Sequence, residues 1–209
     1  MNRGGFEHLN IRAVFLDRDG IINDLVYFRE QGIVDSPFTP DQFKLTAFAS
    51  EAINRCHTLG FKAIVISNQP GLAKGHFDEK TFESIRLRMH QALRKHDAYL
   101  DGEYYCFHHP NGVREEYRKV CDCRKPKPGL ILRAAKDQAI SLGDSFFVGD
   151  GIADVKAGRE AGCKTIIVAS ANGFLLRLLT EQDAEPDYMV RTLEEATNTI
   201  EKSMSRQSK

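Results

Sequence analysis

Short apolar segments alternate along this chain with segments in which apolar residues recur at helical spacing. This alternation constrains the fold most, because strand–helix–strand units build a parallel sheet and cover both its faces with helices. Strands are predicted at residues 13–16, 62–67, 145–148 and 164–168, and helices at about 46–59, 78–96, 130–138 and 153–161. Such folds bind ligands at the carboxyl ends of their strands, so the residues that follow each strand are the candidates for function.

Length and charge limit the size and the partners of the protein. The 209 residues suit one domain with a sizeable core, and we expect a single domain over 1–209, ending in a flexible tail at 203–209, that works as a monomer. The 29 basic and 29 acidic residues cancel, and no run of Lys and Arg predicts a nucleic-acid or membrane surface. No apolar stretch is long enough to cross a bilayer and residues 1–10 lack a secretory pattern, which predicts a cytoplasmic protein.

Carboxylates follow the first and third predicted strands. Asp17 and Asp19 are separated by one residue, so strand alternation would let their side chains converge on one pocket while Arg18 points elsewhere. Asp150 follows the third strand in the same way. Three carboxylates at adjacent strand ends would suit Mg²⁺, which binds one or two carboxylates, water and a substrate phosphate. An isolated Asp-x-Asp-Gly is also typical of a turn, so the carboxylates alone leave both interpretations open.

Other polar residues occupy positions that favour the metal site. Ser67 ends the second predicted strand, Lys125 precedes a helix, and Asp154 follows Asp150 near the start of another helix. Together with the sequence DRDG at 17–20, this ordered set resembles the haloacid dehalogenase (HAD) superfamily of phosphohydrolases. The resemblance implies a three-layer, Rossmann-like α/β fold with a mainly parallel central sheet, and magnesium-dependent hydrolysis of a phosphomonoester in a small metabolite.

The resemblance also implies a role for each residue of the set. Asp17 would attack phosphorus to form an aspartyl-phosphate, while Asp19 would protonate the leaving oxygen and later activate water. Ser67 and Lys125 would hold the transferring phosphoryl oxygens. The implied magnesium ligands are Asp17, Asp150 and the main chain of Asp19, with Asp154 beside a bound water. Further polar contacts to substrate are expected from Asn68 and Gln69.

Cysteine and histidine residues concentrate at about 104–128, a stretch that does not fit the strand–helix rhythm. They form two tight pairs, Cys106-x-His108 and Cys121-x-Cys123. Four soft ligands are enough for a closed, tetrahedral structural zinc site, although ordinary zinc fingers space their paired ligands more widely. His109 is the alternative to His108 as the histidine ligand.

The segments YCFHHP at 105–110 and CDCRKPKPG at 121–129 resemble the zinc loop of the histidinol-phosphatase and heptose-bisphosphate-phosphatase branch of the superfamily. That resemblance implies no large cap domain. It also implies a zinc ion that does not hydrolyse substrate but holds Arg124 and Lys125 toward the pocket. On the heptose side of the branch, Arg124 would recognise the second phosphate of the substrate through its planar fork of donors.

Two features depart from the heptose enzymes. Gly151 stands where those enzymes commonly carry Lys, and residues 25–43 form a longer segment whose turn-rich part, 32–40, could close over the pocket as a flap. One alternative is therefore a histidinol-phosphate phosphatase, in which Asp24 or Glu30 could serve a cationic substrate. Two non-catalytic alternatives are a phosphometabolite sensor and a zinc-dependent interaction module.

Overall fold

The predicted alternation of strands and helices is present in the computed structural model, which describes residues 10–170 and 173–207. The strands are β1 Arg12–Leu16, β2 Val26–Phe28, β3 Ile33–Asp35, β4 Phe61–Asn68, β5 Gly102–Cys106, β6 Phe146–Gly149, β7 Lys164–Val168 and β8 Tyr188–Val190. The helices are α1 Ala49–Thr58, α2 Glu79–Arg94, α3 Gly129–Gln138, α4 Ile152–Ala161, α5 Gly173–Glu181 and α6 Leu193–Gln207. Short 3-10 helices cover Pro40–Gln42, Glu115–Tyr117 and Leu142–Asp144.

Six strands form one sheet in the order β5–β4–β1–β6–β7–β8, and every neighbouring pair is parallel. β1 lies in the middle, where Leu16 pairs with Val65 of β4 and with Val148 of β6. The chain continues from β1 to β4 and β5 on one side and then crosses to β6 on the other. Ligands bind at such switch points in open α/β sheets, so the residues after β1, β4 and β6 meet at the expected position.

Side chains of the central strands alternate between two helix layers, because successive residues of a strand point to opposite faces. In β1, Val14 and Leu16 pack with residues of α1, α2 and α6, whereas Ala13 and Phe15 pack with residues of α3 and α4. Fully burying a side chain such as Leu or Phe stabilises the fold by about 1.5–3 kcal/mol. Burial on both faces explains why these strands are unbroken apolar runs in the sequence. The predicted three-layer α/β fold is confirmed.

Local sequence signals determine where several helices begin and end. Asp78 caps α2, since its side chain accepts a hydrogen bond from the main-chain N–H three residues later, at 2.8 Å. Gly162 ends α4 with a φ of +88°, a conformation that costs glycine no Cβ clash. The helix predicted at 46–59 begins later, at Ala49, because Phe48 has a φ of +65° and lies outside the right-handed helical region.

Two segments predicted as irregular contain strands. In the longer segment 25–43, β2 and β3 pair as an antiparallel hairpin whose turn contains Gly32 at a φ of +64°. This hairpin and one 3-10 helix are all that separates β1 from α1 in regular structure, so the described residues contain no large cap domain, as predicted. β5 covers the beginning of the stretch 104–128 and pairs with β4.

The carboxyl-terminal segment differs from its prediction as well. Helix α6 continues through Gln207, so residues 203–207 are helical and not a flexible tail, while 208–209 lie outside the described residues. The helix persists because Ser203 is buried there and its hydroxyl lies 3.3 Å from Lys164 Nζ on β7. In the described part of the chain, no helix combines the length and apolar character needed to cross a membrane.

Candidate active site

The candidate site begins where β1 ends. The N–H of Asp17 donates to the carbonyl of Val148 at 3.0 Å, so this residue is still held to β6. The chain then turns, and the carbonyl of Arg18 accepts hydrogen bonds from the N–H groups of Ile22 and Asn23 at 2.7 and 3.0 Å. Strand alternation therefore ends at Asp17 and does not determine where the next two side chains point.

Three carboxylates meet at this edge of the sheet. Asp17, Asp150 and Asp154 each offer an oxygen, and these oxygens all lie within 4.8 Å of one another. Two glycines permit the approach, because a Cβ at Gly20 would lie 2.0 Å from the Asp150 carboxylate and one at Gly149 would lie 2.4 Å from the Asp154 Cβ. The sequence prediction had Asp154 beside a bound water; its i, i+4 spacing from Asp150 across the start of α4 was the signal that it could join the cluster.

Lys125 provides the cation of the cluster. Its Nζ lies 2.9 Å from Asp17 Oδ1 and 2.6 Å from Asp154 Oδ1, and it donates to the carbonyl of Ile66 at 3.0 Å. The residue is only 4% exposed. Burial lowers the pKa of the ammonium group, but Asp154 and Asp17 outweigh that effect and raise the pKa overall, so Lys125 stays charged.

The positive charge of Lys125 compensates only part of the negative charge of these acids. Burial is the largest effect on Asp17 and, with repulsion from Asp154 and Asp150, raises its pKa to about 7, although Lys125 works in the opposite direction. Burial, followed by repulsion from Asp154, raises the pKa of Asp150 to about 6. With all three carboxyl groups ionised, the cluster would carry three negative charges against the one positive charge of Lys125.

The cluster fits a magnesium ion by ligand type and by charge. Carboxylate oxygens are the ligands that Mg²⁺ prefers, and a divalent cation between them would offset the mutual repulsion that, after burial, raises the pKa values of Asp17 and Asp150. The carboxylate of Asp19 lies outside this group of three. Its predicted contribution through the main chain stays a prediction.

The carboxylate of Asp19 is held by its neighbour, and the expectation that Arg18 points elsewhere is wrong. Arg18 donates to Asp19 Oδ1 from Nε at 3.1 Å and from Nη2 at 2.9 Å, and its Nη2 lies 3.1 Å from Oδ2. Asn23 donates to Oδ1 at 3.0 Å and Gln69 to Oδ2 at 2.6 Å. The turn after Asp17 brings the two adjacent side chains together, which strand alternation could not predict.

The end of β4 contributes polar side chains to the same edge. The hydroxyl of Ser67 accepts a hydrogen bond from Gln69 Nε2 at 3.1 Å, and Ser67 is 1% exposed. The side chain of Asn68 brackets the main chain of Lys125, donating to its carbonyl at 3.1 Å and accepting from its N–H at 3.0 Å. Asn68 and Gln69 therefore hold other residues of the site, and their contacts with substrate stay predictions.

The predicted zinc ligands come together in space. The group consists of Cys106, His108, Cys121 and Cys123. Its sulfur atoms lie 3.3–3.6 Å apart, and His108 Nδ1 is 3.3 Å from Cys123 Sγ. These separations exceed a disulfide bond of about 2.05 Å and approach the roughly 3.8 Å expected between sulfurs that share a tetrahedral zinc at about 2.3 Å. His109 instead accepts the N–H of Asn111 at 3.1 Å, so the histidine of the group is His108.

The zinc-type cluster is connected to the carboxylate site from two sides. The carbonyl of Cys106 accepts the N–H of Gln69 at 2.7 Å, and Lys125 follows Cys123 by two residues. Arg124, between them, donates to the carbonyl of His108 at 3.4 Å. Arg124 also lines a cavity of about 230 Å³ together with Lys125 and other residues. The remaining lining residues are Pro110, Lys119, Val120, Cys121, Pro126 and Lys127.

Aromatic rings hold the β2–β3 hairpin to the body of the protein. Phe38 stacks on Phe28 of the hairpin at 4.1 Å between ring centroids and on His76 at 4.4 Å. Outward-facing residues of the hairpin remain open to solvent, with Tyr27 60% and Val34 61% exposed. The segment predicted to act as a flap therefore contains a hairpin that the Phe38 ring stack joins to the body of the protein, and its closing motion stays a prediction.

Comparison with known proteins gives consistent results. The HAD-hydrolase-like family model matches residues 122–196. The chain is 35% identical over 194 residues to the D-glycero-beta-D-manno-heptose-1,7-bisphosphate 7-phosphatase of Escherichia coli (strain K12), with 92% of this chain and 95% of the relative covered. The Photorhabdus laumondii protein of that name is 39% identical over 160 residues, covering 75% of this chain and 80% of the relative.

Solved structures extend the similarity to the fold. D,D-heptose 1,7-bisphosphate phosphatase from B. bronchiseptica, complexed with magnesium and phosphate, superposes with a TM-score of 0.74 at 28% identity, covering 92% of this chain and 99% of the other. A putative HAD-like phosphatase from Mesorhizobium loti gives a TM-score of 0.75 at 28% identity, covering 92% and 87%.

Proposed function

This chain belongs to the D-glycero-beta-D-manno-heptose-1,7-bisphosphate 7-phosphatase family of HAD-like hydrolases and is a phosphatase, and from that membership we propose that it releases the 7-phosphate of a D-glycero-D-manno-heptose 1,7-bisphosphate. The observation that carries the proposal is the buried Lys125, whose Nζ joins Asp17 and Asp154 at the switch point of the sheet. In-line phosphoryl transfer requires a nucleophile placed beside a cation that can bind the phosphoryl oxygens.

The proposed reaction divides phosphate transfer into two steps. In the first, an oxygen of Asp17 bonds to phosphorus, the bond from phosphorus to the sugar oxygen breaks, and Asp19 gives that oxygen a proton. In the second, water attacks the aspartyl-phosphate, the bond to Asp17 breaks, and Asp19 takes the proton from water. The Ser67 hydroxyl and the Lys125 ammonium hold the phosphoryl oxygens in both steps.

Magnesium, held by Asp17, Asp150 and the main chain of Asp19, would supply positive charge between the anionic nucleophile and the anionic phosphate. Burial, with repulsion between the carboxylates, raises the pKa values of Asp17 and Asp150, and three carboxylates beside one lysine leave a negative charge for a cation to neutralise, which supports this assignment. With or without magnesium, Lys125 orients Asp17 in the site, because its ammonium group contacts that carboxylate at 2.9 Å.

Recognition of the second phosphate is assigned to the zinc-loop side of the site. Arg124 lines the cavity there with Lys119 and Lys127, and this cluster of cations suits a phosphate distant from the reacting one. Zinc bound by the cysteine and histidine group would fix the loop. Asn68 would add a polar contact to substrate, whereas the amide of Gln69 is fully buried and bonded to Arg18 and Asp19. Free cysteines at these distances suit a reducing compartment, which supports a cytoplasmic location.

Phosphate release from a substrate panel tests the proposal. The panel holds both anomers of heptose 1,7-bisphosphate, histidinol phosphate and common sugar phosphates, and kcat/KM is compared with magnesium present. We expect one heptose anomer to be strongly preferred. Preference for histidinol phosphate would instead assign the protein to the other side of the branch and would mean that Gly151 and the β2–β3 hairpin select a different substrate. No magnesium-dependent release from any substrate would contradict the mechanism.

A further inference from the structure

Arg18 is an unusual residue for a protein interior. It is 1% exposed and is the largest fully buried side chain among the described residues. Moving a guanidinium group out of water is costly unless its donors are paired. Its Nη1 makes no hydrogen bond within the described residues, although this atom is buried. A buried donor without a partner lowers stability, so packing alone does not explain an arginine at this position.

The paired side-chain donors of Arg18 all contribute to one arrangement around Asp19. Arg18 Nη2 donates to Gln69 Oε1 at 2.9 Å, and Gln69 Nε2 donates to Asp19 Oδ2 at 2.6 Å. With the two-nitrogen contact from Arg18 to Asp19, these bonds close a ring of three side chains. Gln69 is itself completely buried, and its main-chain N–H is fixed to the carbonyl of Cys106 at 2.7 Å.

We propose that Arg18 and Gln69 are positioning residues that fix the orientation of the Asp19 carboxylate for proton transfer. This inference rests on the proposed function, in which Asp19 is the acid and then the base. A proton can be transferred only when donor and acceptor are within hydrogen-bond reach, so a carboxyl group that rotates freely is poorly placed both to give a proton to the leaving oxygen and, as a carboxylate, to take one from water. The guanidinium group of Arg18 and the amide of Gln69 donate hydrogen bonds to both oxygens of Asp19 and so prevent that rotation.

Leaving-group dependence distinguishes this role from a purely structural one. A sugar alkoxide needs a proton as it leaves, whereas 4-nitrophenolate leaves as a stable anion and needs little help from an acid. Loss of Asp19 positioning should therefore slow phosphate release from heptose 1,7-bisphosphate much more than release from 4-nitrophenyl phosphate. Values of kcat/KM are the suitable readout, because they report the steps up to and including transfer to Asp17.

The experiment compares Arg18→Lys with wild type on both substrates. Lysine keeps the charge but replaces the planar fork with one ammonium nitrogen, which cannot contact Asp19 through two nitrogens at once. We expect kcat/KM to fall about 100-fold for the heptose substrate, the lower end of a typical general-acid contribution, and by less than about 5-fold for 4-nitrophenyl phosphate. Gln69→Asn, which shortens the amide, gives the same readout if Arg18→Lys fails to fold. Arg133→Lys, on the exposed side of α3, is the matched control and should change neither value.

The outcomes separate this inference from the function on which it rests. If Asp17→Asn still releases phosphate from either substrate, the proposed nucleophile is wrong and the inference fails with it. If Asp17→Asn is inactive but Arg18→Lys or Gln69→Asn lowers both kcat/KM values by one common factor, or changes neither, the proposed function stands. In that case only the positioning role of Arg18 and Gln69 is contradicted.

Discussion

At the scale of single residues, the site brings three carboxylates around one buried lysine. Lys125 stays charged because Asp17 and Asp154 contact its ammonium group, yet the pKa values of Asp17 and Asp150 remain raised because burial and mutual repulsion outweigh that one cation. Burial and repulsion therefore make the charged form of each acid less favourable than it is in water. The charge excess is therefore a property of the protein that metal binding would relieve.

Replacing the nucleophile should separate activity from stability. We expect Asp17→Asn to abolish phosphate release while leaving the fold intact, because an amide keeps the shape of the side chain but cannot attack phosphorus. Its melting temperature without magnesium should equal or exceed that of wild type near pH 7, since the amide resembles the neutral acid that burial favours. Asp137→Asn, an exposed change on α3, is the control and should keep full activity. Retained turnover in Asp17→Asn would exclude the mechanism.

The pH dependence of stability follows from the same pKa values. The pKa of Asp17 rises from 3.8 to about 7 and that of Asp150 to about 6, so the folded protein binds protons that the unfolded chain has already released at intermediate pH. Their stabilising contribution is complete below the unfolded pKa and is lost as pH rises through about 6 and 7. In protein prepared without magnesium, the melting temperature of wild type should therefore fall relative to Asp17→Asn between about pH 5 and about pH 8. A difference that does not change with pH would contradict the assigned charge balance.

At the scale of secondary-structure elements, the sequence predicts the buried strands correctly but misses the strands whose side chains are exposed to solvent. β1, β4, β6 and β7 are found within two residues of their predicted bounds, because burial on both faces leaves an uninterrupted apolar run. The β2–β3 hairpin has exposed side chains such as Tyr27 and Val34 and so no periodic pattern to recognise. The position of Arg18 could not be predicted either, since a turn and not strand geometry directs it. Position after the strands and paired spacing indicated the members of the two candidate metal sites, and the family resemblance implied their roles.

The zinc-type cluster should act as a structural element in its own right. We expect about one zinc per chain in the native protein, and we expect Cys121→Ser to lose that zinc and to lower the melting temperature, because metal binding contributes directly to folding of such loops. Phosphatase activity should fall as well, because the zinc loop positions two parts of the carboxylate site. Lys125 follows Cys123 by two residues, and the carbonyl of Cys106 accepts the N–H of Gln69. Metal analysis and thermal denaturation measure both effects.

The control for this experiment is a cysteine outside the cluster. Cys163 is buried immediately before β7 and takes no part in the group of four. Cys163→Ser should keep its zinc whatever its effect on packing. Native protein without zinc, or Cys121→Ser with its zinc intact, would remove the zinc assignment without affecting the carboxylate site.

At the scale of the whole molecule, the arrangement of the sheet bears on association between chains. A sheet edge invites pairing with a second chain unless it is short or charged. β8 at one edge has three residues, and at the other edge Glu103 of β5 is paired with Arg86 and His90 of α2, at 3.0 and 2.6 Å. Both faces of the central strands are covered by helices of the same chain. These features favour a monomer.

We therefore expect sedimentation equilibrium to give the mass of a single chain, 23.6 kDa, with and without magnesium and phosphate. The carboxylate cluster, Lys125 and the Asp19 ring all come from one chain, so specific activity should not change when the protein is diluted. A dimer mass together with activity that falls on dilution would mean that a second copy completes the site, most directly at the β2–β3 hairpin, where exposed Tyr27 and Val34 leave apolar surface available. A dimer whose activity is independent of concentration would contradict the monomer prediction but leave the one-chain site intact.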